Sequence, residues 1–191
     1  MIRIPQILLL FLLMVTACQQ NYVPKPRGYF RIELPVKAYR EMDSTLPYSF
    51  SYPVYCTITP DTYAPNEPTW INVEFPTLNA KLHLSYKKIN NNLAKYLDDT
   101  HMLVSKHIPK ATAIEESQIS NPEHQMFGTI YKIQGSEAAS VYQFYVTDSV
   151  HHFMRGALYF NSEPNNDSLA PVIDFVSKDI EHIIETLRWK K

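Results

Sequence analysis

Glycine is scarce in this sequence of 191 residues, which has four, at positions 28, 128, 135 and 156. Glycines so far apart cannot form a glycine-rich phosphate-binding loop, and the Gly-X-Ser-X-Gly turn of serine hydrolases does not occur. Positive patches are also lacking, because 18 Lys and Arg stand against 19 Asp and Glu without a basic stripe. These absences exclude nucleotide binding through such a loop and argue against a nucleic-acid partner.

Long apolar runs are lacking too. The run at residues 7–15 is about half the ~20 residues that a transmembrane helix needs. Arg3 precedes this run and Val15-Thr16-Ala17-Cys18 follows it, which is the order of a secretory signal peptide with a bacterial lipobox. We therefore predict a lipoprotein signal peptide at residues 1–17 and a lipidated Cys18, whose acyl chains anchor the protein in a membrane. An ordinary signal peptide beside an incidental cysteine is the alternative.

The sequence has only two cysteines. Acylation of Cys18 would leave Cys56 without a disulfide partner. Because Cys56 lies in a strand-like run, YPVYCTITP, a buried free thiol is expected, and a reactive or intermolecular cysteine is the alternative.

Residues 18–29 contain Pro24 and Pro26 among polar residues, which is typical of an extended spacer. We predict that they form a lipid-anchored tether and that residues 30–191 form a single domain. Alternating apolar residues predict strands in six stretches, at 48–58, 69–75, 80–86, 124–135, 139–148 and 151–161. The short turn at 76–79 predicts a hairpin, and the last three stretches predict an antiparallel meander. Residues 110–119 are ambiguous.

Two helices are predicted from residues spaced three and four apart. The first follows the asparagines at 90–92 and stops before Pro109, with an inward face of Leu93, Tyr96, Leu97, Thr100, Leu103 and Val104. The second is capped by Asp167 or Ser168, with an inward face of Val172, Ile173, Val176, Ile180, Ile183, Ile184 and Leu187. The predicted fold class is α+β, an antiparallel sheet covered by helices. A PsbP/Mog1-like sandwich would accommodate this order of elements.

No catalytic, cofactor or metal site is predicted. His101 and His107 are six residues apart, and His151 and His152 alternate on a strand, so neither pair has the spacing of a helical zinc site. The carboxylate pairs Asp98-Asp99 and Glu115-Glu116 are adjacent in sequence and do not face each other on a helix. We therefore predict that the protein is not an enzyme and that it has no small-molecule substrate.

Aromatic residues offer one alternative function. Thirteen Tyr and two Trp could form a sugar-binding platform, with Trp70 and Tyr159 as the residues to test, so a periplasmic ligand- or glycan-binding lipoprotein is the second hypothesis. Core packing is the competing explanation for the same residues.

Three stretches resemble a short motif at which some bacteria glycosylate exported proteins, namely Asp, then Ser or Thr, then an apolar residue or Thr. They predict O-glycosylation at Ser44, Ser149 and Ser168, in turns or at a helix start where a bulky glycan is tolerated. Ser44 is preferred because Ser168 could be occupied as a helix cap. The competing explanation is that Asp and Ser are simply common in turns and caps.

Residues 22–35, YVPKPRGYFRIELP, are similar to the gliding motility lipoprotein GldD family of Bacteroidota. The similarity continues in YPVYC, WINVEFP and LHLSYKKI, and near the end in TDSVHHFMRGALYFNSEPNNDSLAPVIDFVSKDIEHIIETLRW. It implies an accessory lipoprotein of gliding motility and of the type IX secretion machinery, in contact with other lipoproteins or outer-membrane components. It implies no catalytic or cofactor residue.

Carried onto this sequence, the resemblance makes Cys18 the lipidated residue. Tyr29 and Phe30, where the tether meets the domain, and Arg155, in the strand HFMRGALYF, are candidate partner contacts. The alternatives are that the aromatic pair packs on the core and that Arg155 satisfies a carboxylate. Surface-exported lipoproteins of this phylum resemble one another in having acidic residues after the cysteine, and Gln19-Gln20-Asn21 has none. The expected location is therefore the periplasmic face of the outer membrane.

Overall fold

The computed structural model describes Gly28 and residues 31–190. In that part of the chain the α-helices are α1 (Leu93–Ser105) and α2 (Asn166–Thr186), and short 3₁₀ turns occur at Pro76–Leu78, Ile108–Lys110 and Pro122–His124. The strands, numbered along the chain, are β1 (Tyr39–Glu41), β2 (Tyr48–Ser49), β3 (Ser51–Pro53), β4 (Thr57–Pro60), β5 (Ile71–Phe75), β6 (Ala80–Lys88), β7 (Ala113–Asn121), β8 (Met126–Gln134), β9 (Ser140–Thr147), β10 (His152–Phe160) and β11 (Arg188–Trp189). All of them belong to one compact unit, Glu33–Lys191.

The central sheet has seven strands in the order β4-β5-β6-β10-β9-β8-β7, and each neighbouring pair is antiparallel. The predicted meander is confirmed, since β8, β9 and β10 pair in chain order. β10 then pairs with β6, which joins the meander to the β5–β6 hairpin. The ambiguous residues 110–119 lie mostly in β7, an edge strand with largely exposed side chains. Exposure explains why this segment has only a weak apolar alternation.

Two hairpin turns are built alike. A proline begins each 3₁₀ turn, and the residue after the turn, Asn79 or Gln125, has a left-handed backbone with φ of 50°. The turn sets the register, which pairs Phe75 with Ala80 in the first hairpin. The hairpin predicted at residues 76–79 is therefore confirmed.

Helix α1 begins and ends where the sequence predicts. Asn92 occupies the N-cap position, but its side chain donates to the hydroxyl of Tyr96 (3.0 Å) instead of accepting from the helix backbone. Thr100 and Val104 are buried, and the other residues of the predicted inward face are half-buried. The helix therefore covers the sheet with a shallow apolar face.

Helix α2 has the predicted apolar stripe, which is buried except for the half-buried Ile173. The predicted N-cap at Asp167 or Ser168 is wrong, because the helix begins at Asn166 with Asn165 at the N-cap. The Asn166 side chain donates to the carbonyls of Gly135 (2.7 Å) and Ala138 (2.9 Å). These bonds to the β8–β9 loop hold the helix start two residues earlier than its local sequence indicates.

The two helices lie on opposite faces of the sheet. Tyr131 on β8 packs against His101 of α1, with ring centroids 6.0 Å apart, whereas the next residue, Lys132, forms a 3.1 Å salt bridge with Glu181 of α2. Successive strand residues point to opposite faces, so this pair assigns one helix to each. The structure is thus the predicted α+β fold with an antiparallel sheet covered by helices.

The pairs β1–β3 and β2–β11 form two small sheets on the α2 side. The backbone N–H of Ser51 donates to the Thr186 hydroxyl of α2 (3.0 Å), and Tyr48 and Phe50 are fully buried in the same core as α2. Within the described residues, no helix has the length and apolarity needed to cross a membrane.

Candidate functional site

The sheet face toward α1 carries two rows of mostly polar residues. The register of the strands places Thr59, Asn72, His83, Ala157, Gln143 and Tyr131 in one row, and Ser85, Arg155, Tyr145 and Thr129 in the next. We call these ten residues the polar face. Alternating positions on the same strands supply the core beneath α2, including Leu82, Phe144 and Leu158.

Several buried polar atoms of the polar face have no hydrogen-bond partner among the described residues. They are Asn72 Oδ1, Gln143 Nε2 and Arg155 Nε. An unsatisfied buried polar group costs about 1–3 kcal/mol. Groups that the chain leaves unsatisfied in one place indicate a site for something outside the chain.

Arg155 is the charged residue of this face. Its Nη2 donates to Gln143 Oε1 at 2.5 Å, and within the described chain it forms no salt bridge with a carboxylate. Burial lowers the pKa of the Arg155 guanidinium, and the nearby Tyr159 phenol partly offsets that shift. The structure therefore gives Arg155 an amide and a phenol as neighbours, and not the carboxylate that the sequence offered as an alternative.

A cavity of about 280 Å³ lies between α1 and the sheet, and Arg155 lines it. Its apolar walls come from Trp70, Leu103 and Phe153. The cavity also has Lys87 and Asp99 among its lining residues, the latter on the exposed side of α1. We call this space the Arg155 cavity.

Lys87 already has partners. It forms an ion pair with Glu67, and its Nζ lies 4.7 Å from the centroid of the Trp70 ring. The Trp70 indole in turn donates to the carbonyl of Tyr86 (2.8 Å), which fixes the ring as a wall. Lys87 therefore adds little uncompensated charge, and Arg155 is the unpaired cation of the cavity among the described residues.

A second cavity of about 390 Å³ contains His83 and Tyr159, whose rings meet edge to face with centroids 5.6 Å apart. Burial lowers the pKa of His83, so its imidazole is neutral at pH 7. The salt bridge of Lys81 with Glu74 (3.2 Å) lies on the same cavity wall. This cavity thus has its cation paired, unlike the Arg155 cavity.

A separate polar cluster surrounds Asp179 of α2, whose side chain is fully buried. Asp179 accepts hydrogen bonds from Lys37 (2.5 Å), Tyr39 (2.9 Å) and Tyr55 (2.5 Å). Burial, together with the hydrogen bond to the Asp179 carboxylate, raises the pKa of Tyr39 to about 12. Both oxygens of the Asp179 carboxylate accept hydrogen bonds, so the cluster fastens Lys37, Tyr39 and Tyr55 to α2.

Sequence reasoning missed Asp179. The available signal was its position between Val176 and Ile180, on the apolar stripe and not opposite it. Cys56 lies near this cluster and is a buried free thiol, as expected from its strand-like surroundings. Burial, together with the Asp179 charge, raises its pKa to about 12, so the thiolate is scarce at neutral pH.

Four further residues were predicted from the sequence as the lipidation site or as partner contacts. Cys18, Tyr29 and Phe30 lie outside the described residues. Arg155 lies on β10 in the polar face, away from the Asp179 cluster on the α2 side. Its role as a partner contact stays a prediction.

The three predicted glycosylation sites differ in exposure. Ser149 and Ser168 are exposed, Ser149 with a left-handed backbone at φ of 67° and Ser168 in the first turn of α2. The Ser44 hydroxyl is buried, although Ser44 is the preferred site by sequence. Ser168 does not cap α2, which removes the reason for ranking it lower. Modification at all three sites stays a prediction.

The described histidines do not assemble a metal centre. No group of three His, Cys, Asp or Glu side chains suited to a metal ion occurs in the described part of the chain. His152 instead accepts or donates one bond with the Tyr86 hydroxyl (2.8 Å) and stacks on Trp189 at 5.0 Å between ring centroids.

Comparison with known proteins gives three findings. The solution structure of cyanobacterial PsbP (CyanoP) from Synechocystis sp. PCC 6803 is similar with a TM-score of 0.48 and 8% identity, over 84% of this chain and 97% of that one. No curated protein matches. The family described as gliding motility lipoprotein GldD matches residues 19–189, which is nearly the whole chain after Cys18. The protein therefore belongs to the gliding motility lipoprotein GldD family.

Proposed function

We propose that this protein is a lipid-anchored accessory component of the gliding and type IX secretion machinery, acting through protein contacts at the periplasmic face of the outer membrane. The family match over residues 19–189 carries the proposal. It begins directly after Cys18, which we propose as the acylated anchor. Other lipoproteins or outer-membrane components of the machinery are the proposed partners.

The segment before β1 supports the proposal of a partner surface. Leu34 and Val36 are exposed there, and Val36 is 87% exposed. Tyr29 and Phe30, the predicted contacts, precede these residues by a few positions. The bonds of Lys37 and Tyr39 to Asp179 fasten the next residues to α2, so a load on this segment would reach the core.

Gene deletion tests the proposal. We expect loss of type IX cargo from the medium, and loss of spreading where the organism spreads. Wild-type protein should restore both, whereas Cys18→Ala should not, because the polar spacer alone has no apolar surface to hold a membrane. Cys56→Ala is the matched cysteine control and should restore both. Normal export and spreading in the deletion strain would refute the proposal.

A second experiment examines the exposed segment. Val36→Asp should weaken crosslinking of the protein to its partners in native membranes, because an apolar contact would be replaced by a charge. Ile108→Asp is the control, since Ile108 is also exposed (60%) but lies in the 3₁₀ turn after α1. Equal crosslinking by both variants would show that the segment is not the contact.

Protease treatment of intact cells tests the orientation. A periplasmic domain should stay protected until the outer membrane is permeabilised. Removal of the domain from intact cells would place it on the cell surface.

Glycan binding is the second candidate function, because Trp70 and Tyr159 both line cavities. One face of the Trp70 ring is covered by Lys87, which leaves less of it for a sugar. Binding on a glycan array that disappears in both Trp70→Ala and Tyr159→Ala would favour this candidate over the first.

A further inference from the structure

We propose that the Arg155 cavity binds a carboxylate carried on a small apolar group. This inference goes beyond the proposed function and does not depend on it, because the tests of that function at Cys18 and Val36 involve no residue that lines the cavity. Arg155 is the one residue that the two proposals share, as a predicted partner contact and as the cation of the cavity. The carboxylate would meet the guanidinium of Arg155, and its apolar group would lie against Trp70, Leu103 and Phe153.

Charge is the first reason. Arg155 is half-buried on the sheet with a buried Nε, and no carboxylate of the described chain forms a salt bridge with it. A desolvated charge is costly unless it is paired, and a bound anion supplies that pairing. The planar guanidinium presents forked N–H groups that match a carboxylate. Gln143 and the Tyr159 phenol are its neighbours, and the buried Nε of Arg155 has no hydrogen-bond partner among the described residues.

The second reason is that the cavity suits a monoanion. Glu67 already neutralises Lys87, so Arg155 is the one cation of the described cavity lining that is left to contact a ligand. Asp99 lines the same cavity and would repel a doubly charged group such as a phosphate monoester. The apolar walls gain free energy only if the ligand carries an apolar part.

Size is the third reason. The cavity volume of about 280 Å³ lies just below the ~300–1,000 Å³ typical of sites for drug-sized ligands. The occupant is therefore no larger than an aromatic acid or one acidic side chain with its neighbour. A small aromatic acid and an acidic side chain of a polypeptide both present a carboxylate, and the dipeptide experiment below distinguishes between them.

Benzoate binding to the full chain in detergent is the principal test. Trp189→Phe leaves Trp70, in the cavity wall, as the remaining tryptophan of the two, so its fluorescence reports occupancy. We expect a saturable change with a Kd on the order of 1 mM, which is reasonable for so small a ligand. Benzamide, the neutral counterpart of benzoate, should bind at least about tenfold more weakly.

Variants assign the binding to the cavity. Arg155→Gln should weaken benzoate about tenfold or more, and Asp99→Asn should strengthen it by up to about fivefold by removing a repulsive charge. Lys81→Gln is the matched control, a cation of the same sheet face outside the cavity, and should change nothing. If Arg155→Gln does not fold, Leu103→Phe retains Arg155 and should abolish binding by filling the cavity.

A dipeptide identifies the source of the carboxylate. Acetylated and amidated Phe-Glu has the Glu side chain as its one anion. Tighter binding of this peptide than of benzoate indicates a polypeptide side chain, and the reverse order indicates a small organic acid. The proposal fails if benzamide binds as well as benzoate, if Arg155→Gln or Leu103→Phe binds like the wild type, or if inorganic phosphate binds more tightly than benzoate.

Discussion

The two faces of the central sheet differ in how they accommodate a charged side chain. On the α2 side, Asp179 is the one charged core residue in the described part of the chain, and it accepts hydrogen bonds from Lys37, Tyr39 and Tyr55. On the α1 side, Arg155 and Gln143 each retain a buried nitrogen without a partner among the described residues. A satisfied buried group holds a structure together, whereas unsatisfied groups are costly and are retained where they have another use.

The two faces also differ in packing, which is tighter on the α2 side than on the α1 side. The residues that point toward α2, such as Leu82, Phe144 and Leu158, are fully buried in one continuous core. The face toward α1 encloses cavities of about 280 and 390 Å³ beside Arg155 and His83. The α2 side therefore holds the continuous core, whereas the α1 side combines two cavities with the unpaired guanidinium of Arg155.

Removing Asp179 should have the largest effect. Asp179→Ala leaves the Lys37 ammonium and two phenols without their acceptor, and breaking a buried pair from one side costs about 3–5 kcal/mol. Urea unfolding should show a loss of that size. Asp174→Ala, on the exposed side of the same helix, should change stability by no more than about 0.5 kcal/mol. Similar values for both variants would contradict the structural role of the cluster.

Gly156→Ala tests the packing of the α2 side. A Cβ at this position would lie 2.1 Å from the Phe144 ring, so the ring must move. Overpacking of this kind costs about 1–3 kcal/mol. The double variant Gly156→Ala with Phe144→Leu should recover part of the loss, because the smaller side chain makes room. A double variant that is less stable by the sum of both single losses would place the steric conflict elsewhere.

The sequence predicted the helices and strands on the two faces of the sheet better than the polar contacts between distant residues. The apolar stripe of α2 and the alternation of β8, β9 and β10 follow from periodicity, since each depends on neighbours in the chain. Asp179 could not be assigned the same way, because its donors lie more than 120 residues away. The start of α2 was missed for a related reason, since Asn166 bonds to the distant β8–β9 loop.

The Arg155 cavity also depends on long-range pairing. Arg155 was singled out by sequence as a lone cation in a strand, but its neighbours were not predictable. Gln143 is placed beside it by the β9–β10 register, and Trp70 by the β5–β6 register. The cavity further requires that α1 cover only part of the polar face, which depends on packing and not on the helix pattern.

Arg155→Met should have a small effect on stability, in contrast to Asp179→Ala. Replacing a desolvated charge with an apolar side chain removes the desolvation cost, while Gln143 loses one hydrogen bond. We expect the free energy of unfolding to change by no more than about 1 kcal/mol in either direction. A loss as large as that of Asp179→Ala would show that Arg155 is a structural residue of the sheet.

The smallest expected effect is the pH dependence of the polar face. Burial lowers the folded-state pKa of His83 below its ordinary value of 6.5, so the unfolded chain binds a proton more readily than the folded chain. The His83 contribution to stability is therefore complete above about pH 6.5 and is lost as the pH falls from there toward the folded-state pKa.

Burial also lowers the pKa of His107 and His152, so wild-type stability alone would not isolate His83. The difference in unfolding free energy between wild type and His83→Gln, measured from pH 7.5 to pH 5, removes their contribution, and it should shift against the wild type as the pH falls. A difference that stays constant over this range would mean that His83 is solvated in the folded protein, and that its side of the polar face is open to water.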